Sequence, residues 1–170
     1  MDINSFNKNI ARFVILVLIQ VLILNNIHIT NFGFTPYLYI VFLLLLPYET
    51  QGWLVLLFSF ILGISIDMFD NTGGIHALAT VFAGFSRPLI LRGFAPRDGY
   101  NTGSSPSVES MGFQWFLKYS MIIVFIHHFI FFVVEAFSFT HFPLTLLKIG
   151  VTTIFSTCII ILSQFLVFKK

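Results

Sequence analysis

The residues able to do chemistry are few, and most of them cluster. The stretch Gly63 to His76, GISIDMFDNTGGIH, holds Asp67, Asp70 and His76. Farther along, His127 and His128 stand side by side, Glu135 follows, and Lys148 lies beyond a short connector. Spacing limits what each set could do. Asp67-x-x-Asp70-Asn71 has the beginning of a calcium loop, but lacks the regular oxygen spacing and the terminal glutamate that such a loop requires. Adjacent histidines on a helix point about 100° apart, which does not suit a shared metal ion. His128 and Glu135 share a helix face, an arrangement that could relay a proton and that packed core polar groups also adopt. The sequence contains no serine–lysine, paired-aspartate or HExxH arrangement of an intramembrane protease, and Cys158 stands alone in an apolar run. The reading is a non-enzyme without a cofactor or metal.

The surroundings of these residues identify the solvent. Of 170 residues, 57% are hydrophobic and only 9% charged, and the mean hydropathy is +0.93. A soluble domain carries roughly a quarter charged residues, so this chain cannot hydrate its own surface in water. Its solvent is a bilayer. A net charge of +2 is too small to suggest a nucleic-acid partner.

Six apolar segments must then position the polar groups: approximately residues 12–27, 33–48, 52–69, 75–93, 113–138 and 143–168, forming one all-α membrane domain over 1–170. The first has a positive start and a short apolar core, as a signal peptide does. No small residues supply a cleavage site near Leu24-Asn25-Asn26, so it reads as a signal anchor. The second is the weakest. Tyr37 to Leu46 is apolar, yet ten helical residues reach about 15 Å, half of a hydrocarbon core of about 30 Å. Trp53 is placed as an interface anchor for the third. In the fourth, Ala79/Ala83 and Thr80/Gly84 are spaced four apart, which lets helix backbones approach closely in lipid. Residues 94–112, rich in Gly, Ser and Pro, read as a flexible loop. The absence of an internal repeat argues against an inverted-repeat transporter.

Six spans with a cytoplasmic N-terminus place Lys8, Arg12, Arg87, Arg92, Arg97, Lys118, Lys169 and Lys170 on the cytoplasmic side, and only Lys148 outside. That asymmetry favours crossing by the weak second span. The same orientation puts Asp67, Asp70, His76, Glu135, His141 and Lys148 in the outer half. Arg87 is expected to snorkel from the inner boundary. Glu135 and Lys148, at similar depth beside one short turn, are expected to form an ion pair. Asp70, Asn71 and Gly73-Gly74 read as a tight loop. Asp67 differs, because an ionisable group inside a span is costly and faces a partner or a cavity. Its nearest donors by depth are His76 and the free backbone N–H groups that open the fourth helix. Asp67 is therefore expected to tie the third and fourth spans together, as a structural hydrogen bond or as a functional group. Gly63, Asp67, Gly74, His76, Ala83 and Gly84 make up the candidate structural or partner site.

Gly63-x-x-x-Asp67 and Gly74-Ile75-His76-Ala77-Leu78, taken with the chain length, about six helices and a short basic tail, resemble the bacterial rod shape-determining protein MreD family. The resemblance implies a multi-pass protein of the bacterial inner membrane, a non-enzymatic scaffold of the elongation machinery that builds peptidoglycan. Its implied partner is the bitopic protein MreC, near MreB filaments, RodA and a class B penicillin-binding protein. The family is similar in outline to the substrate-binding subunits of energy-coupling-factor vitamin transporters, so a vitamin binder is the alternative. Such subunits carry pocket residues and a small-residue docking surface. The fourth span has the small residues, but no vitamin-contacting motif is recognisable.

Overall fold

The computed structural model describes residues 3–27, 35–137 and 142–167. His141, Lys169 and Lys170 lie outside them. Among the described residues the chain is helical: α1 (Ile3–Leu22) with a short 3-10 turn (Leu24–Asn26), α2 (Val41–Leu44), α3 (Gly52–Asp70), α4 (Ile75–Gly93), α5 (Val108–Met111), α6 (Phe113–Ala136) and α7 (Phe142–Val167). Four stretches, 9–26, 52–70, 113–136 and 142–166, are long and apolar enough to cross a membrane. Their outward faces are as apolar as their inward ones. On α3, Phe60 is exposed while Val55 and Leu62 are fully buried, and on α6 Phe125 is exposed while Ile123 is buried. Such a surface is matched to lipid rather than water. α4 equals α3 in length but carries Arg87 and Arg92, and it packs between α3 and α6.

The segment expected as a second helix over 33–48 takes a different form. Only Val41–Leu44 is α-helical; residues 35–38 are non-helical and a turn follows at 39–40. Tyr39, Ile40, Leu43 and Leu44 have no exposure at all. This central segment runs antiparallel to α1. Gln20 of α1 reaches Pro36 and Leu38, and Arg12 of α1 reaches the Leu45 carbonyl at 3.3 Å. α3 then runs alongside α1, since Asp70 near its end meets Asn25 beyond the end of α1.

Leaving helical geometry inside lipid frees backbone polar groups that must be satisfied within the protein. Here the surrounding helices supply the partners. The Tyr37 N–H donates to Ser156 Oγ at 2.9 Å, and the Leu38 N–H donates to Gln20 Oε1 at 2.8 Å. Gln20 Nε2 donates to the Pro36 carbonyl at 3.1 Å. At the other end Tyr119 donates to the Leu44 carbonyl at 3.2 Å, and Arg87 donates to the Leu46 carbonyl and to Tyr119. Arg87 is therefore not a snorkelling residue: it is 1% exposed and closes the lower end of the central segment.

Residues 94–112, expected as a loop, contain the one-turn α5, capped reciprocally by Ser107 and Ser110. The connector is docked on the turn before α3. The Tyr48 N–H donates to the Ser104 carbonyl, the Gly103 N–H donates to Glu49 at 3.0 Å, and the Tyr48 and Tyr100 rings stack with centroids 4.0 Å apart.

Two glycines set the spacing of α3 and α4. A Cβ on Gly63 would collide with the Ala77 backbone and the His76 carbonyl, and one on Gly84 would collide with the Ser59 hydroxyl. Ala83 is fully buried beside them. Overpacking a tight contact costs about 1–3 kcal/mol. Gly63→Ala and Gly84→Leu should therefore lower the thermal unfolding midpoint in detergent, whereas Phe85→Leu, at a 63% exposed position, should leave it unchanged.

Candidate functional site

The junction of α3 and α4 is built on one carboxylate. Asp67 is 5% exposed on the last turn of α3. Its Oδ1 accepts the His76 backbone N–H at 3.0 Å and the Thr72 hydroxyl at 2.5 Å, and its Oδ2 accepts the Ala77 N–H at 2.8 Å. These are N–H groups of the first turn of α4, which have no intrahelical partners. The N-cap residue of α4 is Gly74, with φ 98°, and it has no side chain to satisfy them. Asp67 does so from the neighbouring helix, where the α4 dipole also favours its negative charge. The chain can return this sharply because α3 ends on Asn71 in the left-handed region, at φ 56°.

His76 contributes its backbone to Asp67 and its ring to a second network. Its Nε2 lies 3.4 Å from Asp70 Oδ2, and its Nδ1 lies 3.0 Å from the Tyr39 hydroxyl. That hydroxyl is 2.6 Å from His127 Nε2. Asp70 Oδ1 accepts from Asn25, and Asn25 Oδ1 accepts from Gln20 at 2.8 Å. The chain of polar contacts thus runs through α1, α3, α4, the central segment and α6. His128 turns toward α7 and meets Thr153 at 3.1 Å. The Tyr37 ring packs among the three imidazoles, with centroids 5.3 to 6.0 Å away. His127 Nδ1 and His128 Nε2 are buried and have no hydrogen-bond partner.

The site residues read from the sequence divide into two groups. Gly63, Asp67, Gly74 and His76 come together at one end of α3 and α4. Ala83 and Gly84 lie further along α4 and are buried inside the bundle rather than presented as a surface groove. Glu135 and Lys148 do line one cleft of about 300 Å³ between α6 and α7, with Phe132, Ala136, Leu144 and Thr145. They are not an ion pair, because the one contact within 4.0 Å between an acidic and a basic side chain among the described residues is His76–Asp70. Asp70 is more than a loop residue, since it holds both Asn25 and His76. His128 pairs with Thr153 rather than with Glu135.

Sequence reasoning did not single out Gln20, Asn25, Tyr39, Tyr119 or Ser156. One signal was present: Gln20 is the lone polar residue of the first apolar run. Tyr39 carries a hydroxyl into a run too short to be a complete helical span. Among the described residues, no group of three or more His, Cys, Asp or Glu side chains is placed to hold a metal ion. In comparisons with protein-family models, curated proteins and solved structures, nothing matches this chain.

Asp67→Leu strips the acceptor from two buried N–H groups, and each buried donor left without a partner costs about 1–3 kcal/mol. Asp67→Asn keeps one carbonyl oxygen at the site and loses the charge. In detergent, thermal unfolding should place Asp67→Leu well below wild type and Asp67→Asn between them. Equal midpoints for Asp67→Leu and wild type would show that the carboxylate does not hold the junction.

Proposed function

We propose that this chain is a non-enzymatic membrane scaffold of the MreD type, serving the cell-elongation machinery in a bacterial inner membrane and binding MreC. The observation that carries the reading is the filled centre of the bundle. Tyr39, Ile40, Leu43 and Leu44, all without exposure, occupy the space between the helices that a small-molecule binder would keep for its ligand. The small residues of α4 are used in the same way. Ala79, Ala83 and Gly84 are spent on contacts inside the bundle and are not left as a docking surface. Both features give the energy-coupling-factor alternative less support than the scaffold. The Asp67 junction supports a scaffold directly, because it fixes the outer loop between α3 and α4 that a periplasmic partner such as MreC would read.

The test is co-purification with the MreC of the same source cell. Wild type and Phe85→Leu should retain MreC, and Asp67→Leu should lose it together with normal cell elongation. Wild-type protein that is stably inserted and yet retains no MreC would overturn the reading. Tight retention of a vitamin by purified protein would favour the alternative.

We further infer six passages with both termini cytoplasmic. The central segment supports this, because it leads from the end of the bundle that holds Asn25 and Asp70 to the end where α3 begins. The basic residues support the same orientation, with Lys148 as the external exception. A reporter fused after Lys170 should behave as cytoplasmic, and one inserted between Asn25 and Thr35 as external. The opposite result at either position would exclude this topology.

A further inference from the structure

Glu135 and Lys148 carry opposite charges into one cleft without meeting. Glu135 lies on the last turn of α6 and Lys148 on the second turn of α7. With Phe132, Ala136, Leu144 and Thr145 they line a space of about 300 Å³, a volume at the small end of the range for ligand sites. Among the described residues, neither has an oppositely charged side chain within 4.0 Å.

The place of the cleft in the bundle fixes its surroundings. α6 has 24 residues and α7 has 26. At 1.5 Å per residue, helices of such length reach about 36–39 Å, beyond a hydrocarbon core of about 30 Å. The end of α6 and the start of α7 therefore stand among lipid headgroups. Phe132 and Thr145 are buried and form the inner side of the cleft, whereas Leu144 is 60% exposed, on a surface matched to acyl chains. A molecule in this cleft touches charge, a hydroxyl-bearing side chain and lipid at once.

The lining works against any ligand with a single charge. A bare anion would be attracted by Lys148 and repelled by Glu135, and a bare cation would meet the reverse. A zwitterion whose charges are set apart answers both residues. We propose that the cleft binds the headgroup of a zwitterionic phospholipid with a primary ammonium, the phosphatidylethanolamine class. Lys148 Nζ donates to the phosphate oxygens, and the lipid ammonium donates to the Glu135 carboxylate; both are charge-assisted hydrogen bonds. Phe132, Ala136 and Leu144 pack against the glycerol and the first acyl carbons. The N–H groups give the selectivity. A choline headgroup has a cation but no N–H to donate, and a phosphatidylglycerol headgroup has no cation, so each leaves Glu135 without a donor of matching charge. The site does not depend on the scaffold reading, nor on which face of the membrane this end occupies.

The test is native mass spectrometry of delipidated full-length protein in detergent, titrated with phosphatidylethanolamine, phosphatidylcholine and phosphatidylglycerol of identical acyl chains. Wild type should bind phosphatidylethanolamine at least about tenfold more tightly than the other two, since a hydrogen bond between charged groups contributes a factor of about ten or more. Glu135→Gln should remove that preference, and Lys148→Gln should weaken all three lipids. Glycerophosphoethanolamine, the same headgroup without acyl chains, separates the two sources of this chemistry and should bind far more weakly than the lipid. Equal wild-type affinities for the three lipids, or an ethanolamine preference retained in both variants, would overturn the site. Glycerophosphoethanolamine bound as tightly as the lipid would overturn the lipid assignment in favour of a free zwitterion. Where a variant does not fold, the wild-type affinities decide alone.

Discussion

Backbone polar groups that leave helical geometry inside an apolar bundle must be satisfied there, and most of this structure follows from that requirement. Residues 36–40 are buried outside the α-helix, so the N–H groups of Tyr37 and Leu38 and the carbonyl of Pro36 need partners from other elements. Gln20 and Ser156 meet the first part of the segment, and Arg12, Arg87 and Tyr119 meet the carbonyls of Leu44, Leu45 and Leu46 where α2 ends. α1 contributes Gln20 and Arg12, α7 contributes Ser156, and α4 and α6 contribute Arg87 and Tyr119. The five side chains are spread along the sequence but serve a single stretch of backbone. This also explains why a full-length arginine is tolerated with 1% exposure: its guanidinium donates to a carbonyl and a phenol that themselves need donors and acceptors.

The α3–α4 junction applies the same rule to a helix start. Gly74 has no side chain with which to cap α4, and the left-handed turn that brings the chain back favours residues without a bulky Cβ. The cap is therefore supplied from α3, and Asp67 is held at charge-favouring N–H groups rather than left in lipid. Gly63, one helical turn earlier, lets the two backbones close to the distance at which that carboxylate can reach. The close approach and the cap depend on each other. A side chain at Gly63 would push Ala77, one of the two donors, away from Asp67.

A bundle whose centre is filled by its own chain is suited to holding a shape. The polar groups that remain inside are organised across elements rather than around an empty space. Asn25, Asp70, His76, Tyr39 and His127 come from five different parts of the chain, and Asp70–His76 is the only contact within 4.0 Å between an acidic and a basic side chain among the described residues. Polar contacts of this kind specify which elements pack together, since an unpaired group would be expensive in an apolar interior.

The sequence by itself determined the class and the outline. Composition required a lipid solvent, and apolar run length and punctuation located α3, α4, α6 and α7 to within two residues, because each is a local, repeated signal. α1, read as 12–27 from its apolar core, instead spans Ile3–Leu22, since its helix continues into the polar N-terminal residues. It also pointed to Asp67, since a carboxylate four residues past Gly63 in an apolar run is a local anomaly whose nearest donors lie within ten residues. Tertiary structure decided the rest. The segment 37–46 has the composition of a helix, yet its conformation is set by Gln20, Ser156, Arg87 and Tyr119, up to 119 residues away. Nothing local could reveal that. Asp70 and His76 look like loop and helix-start residues until Asn25, Tyr39 and His127 are brought to them. Arg87 looks like a residue for the membrane boundary until a carbonyl inside the bundle needs its donors. In each case the deciding partner is distant in the sequence, and the energy of burying a polar group depends on that partner and not on the residue's own neighbours.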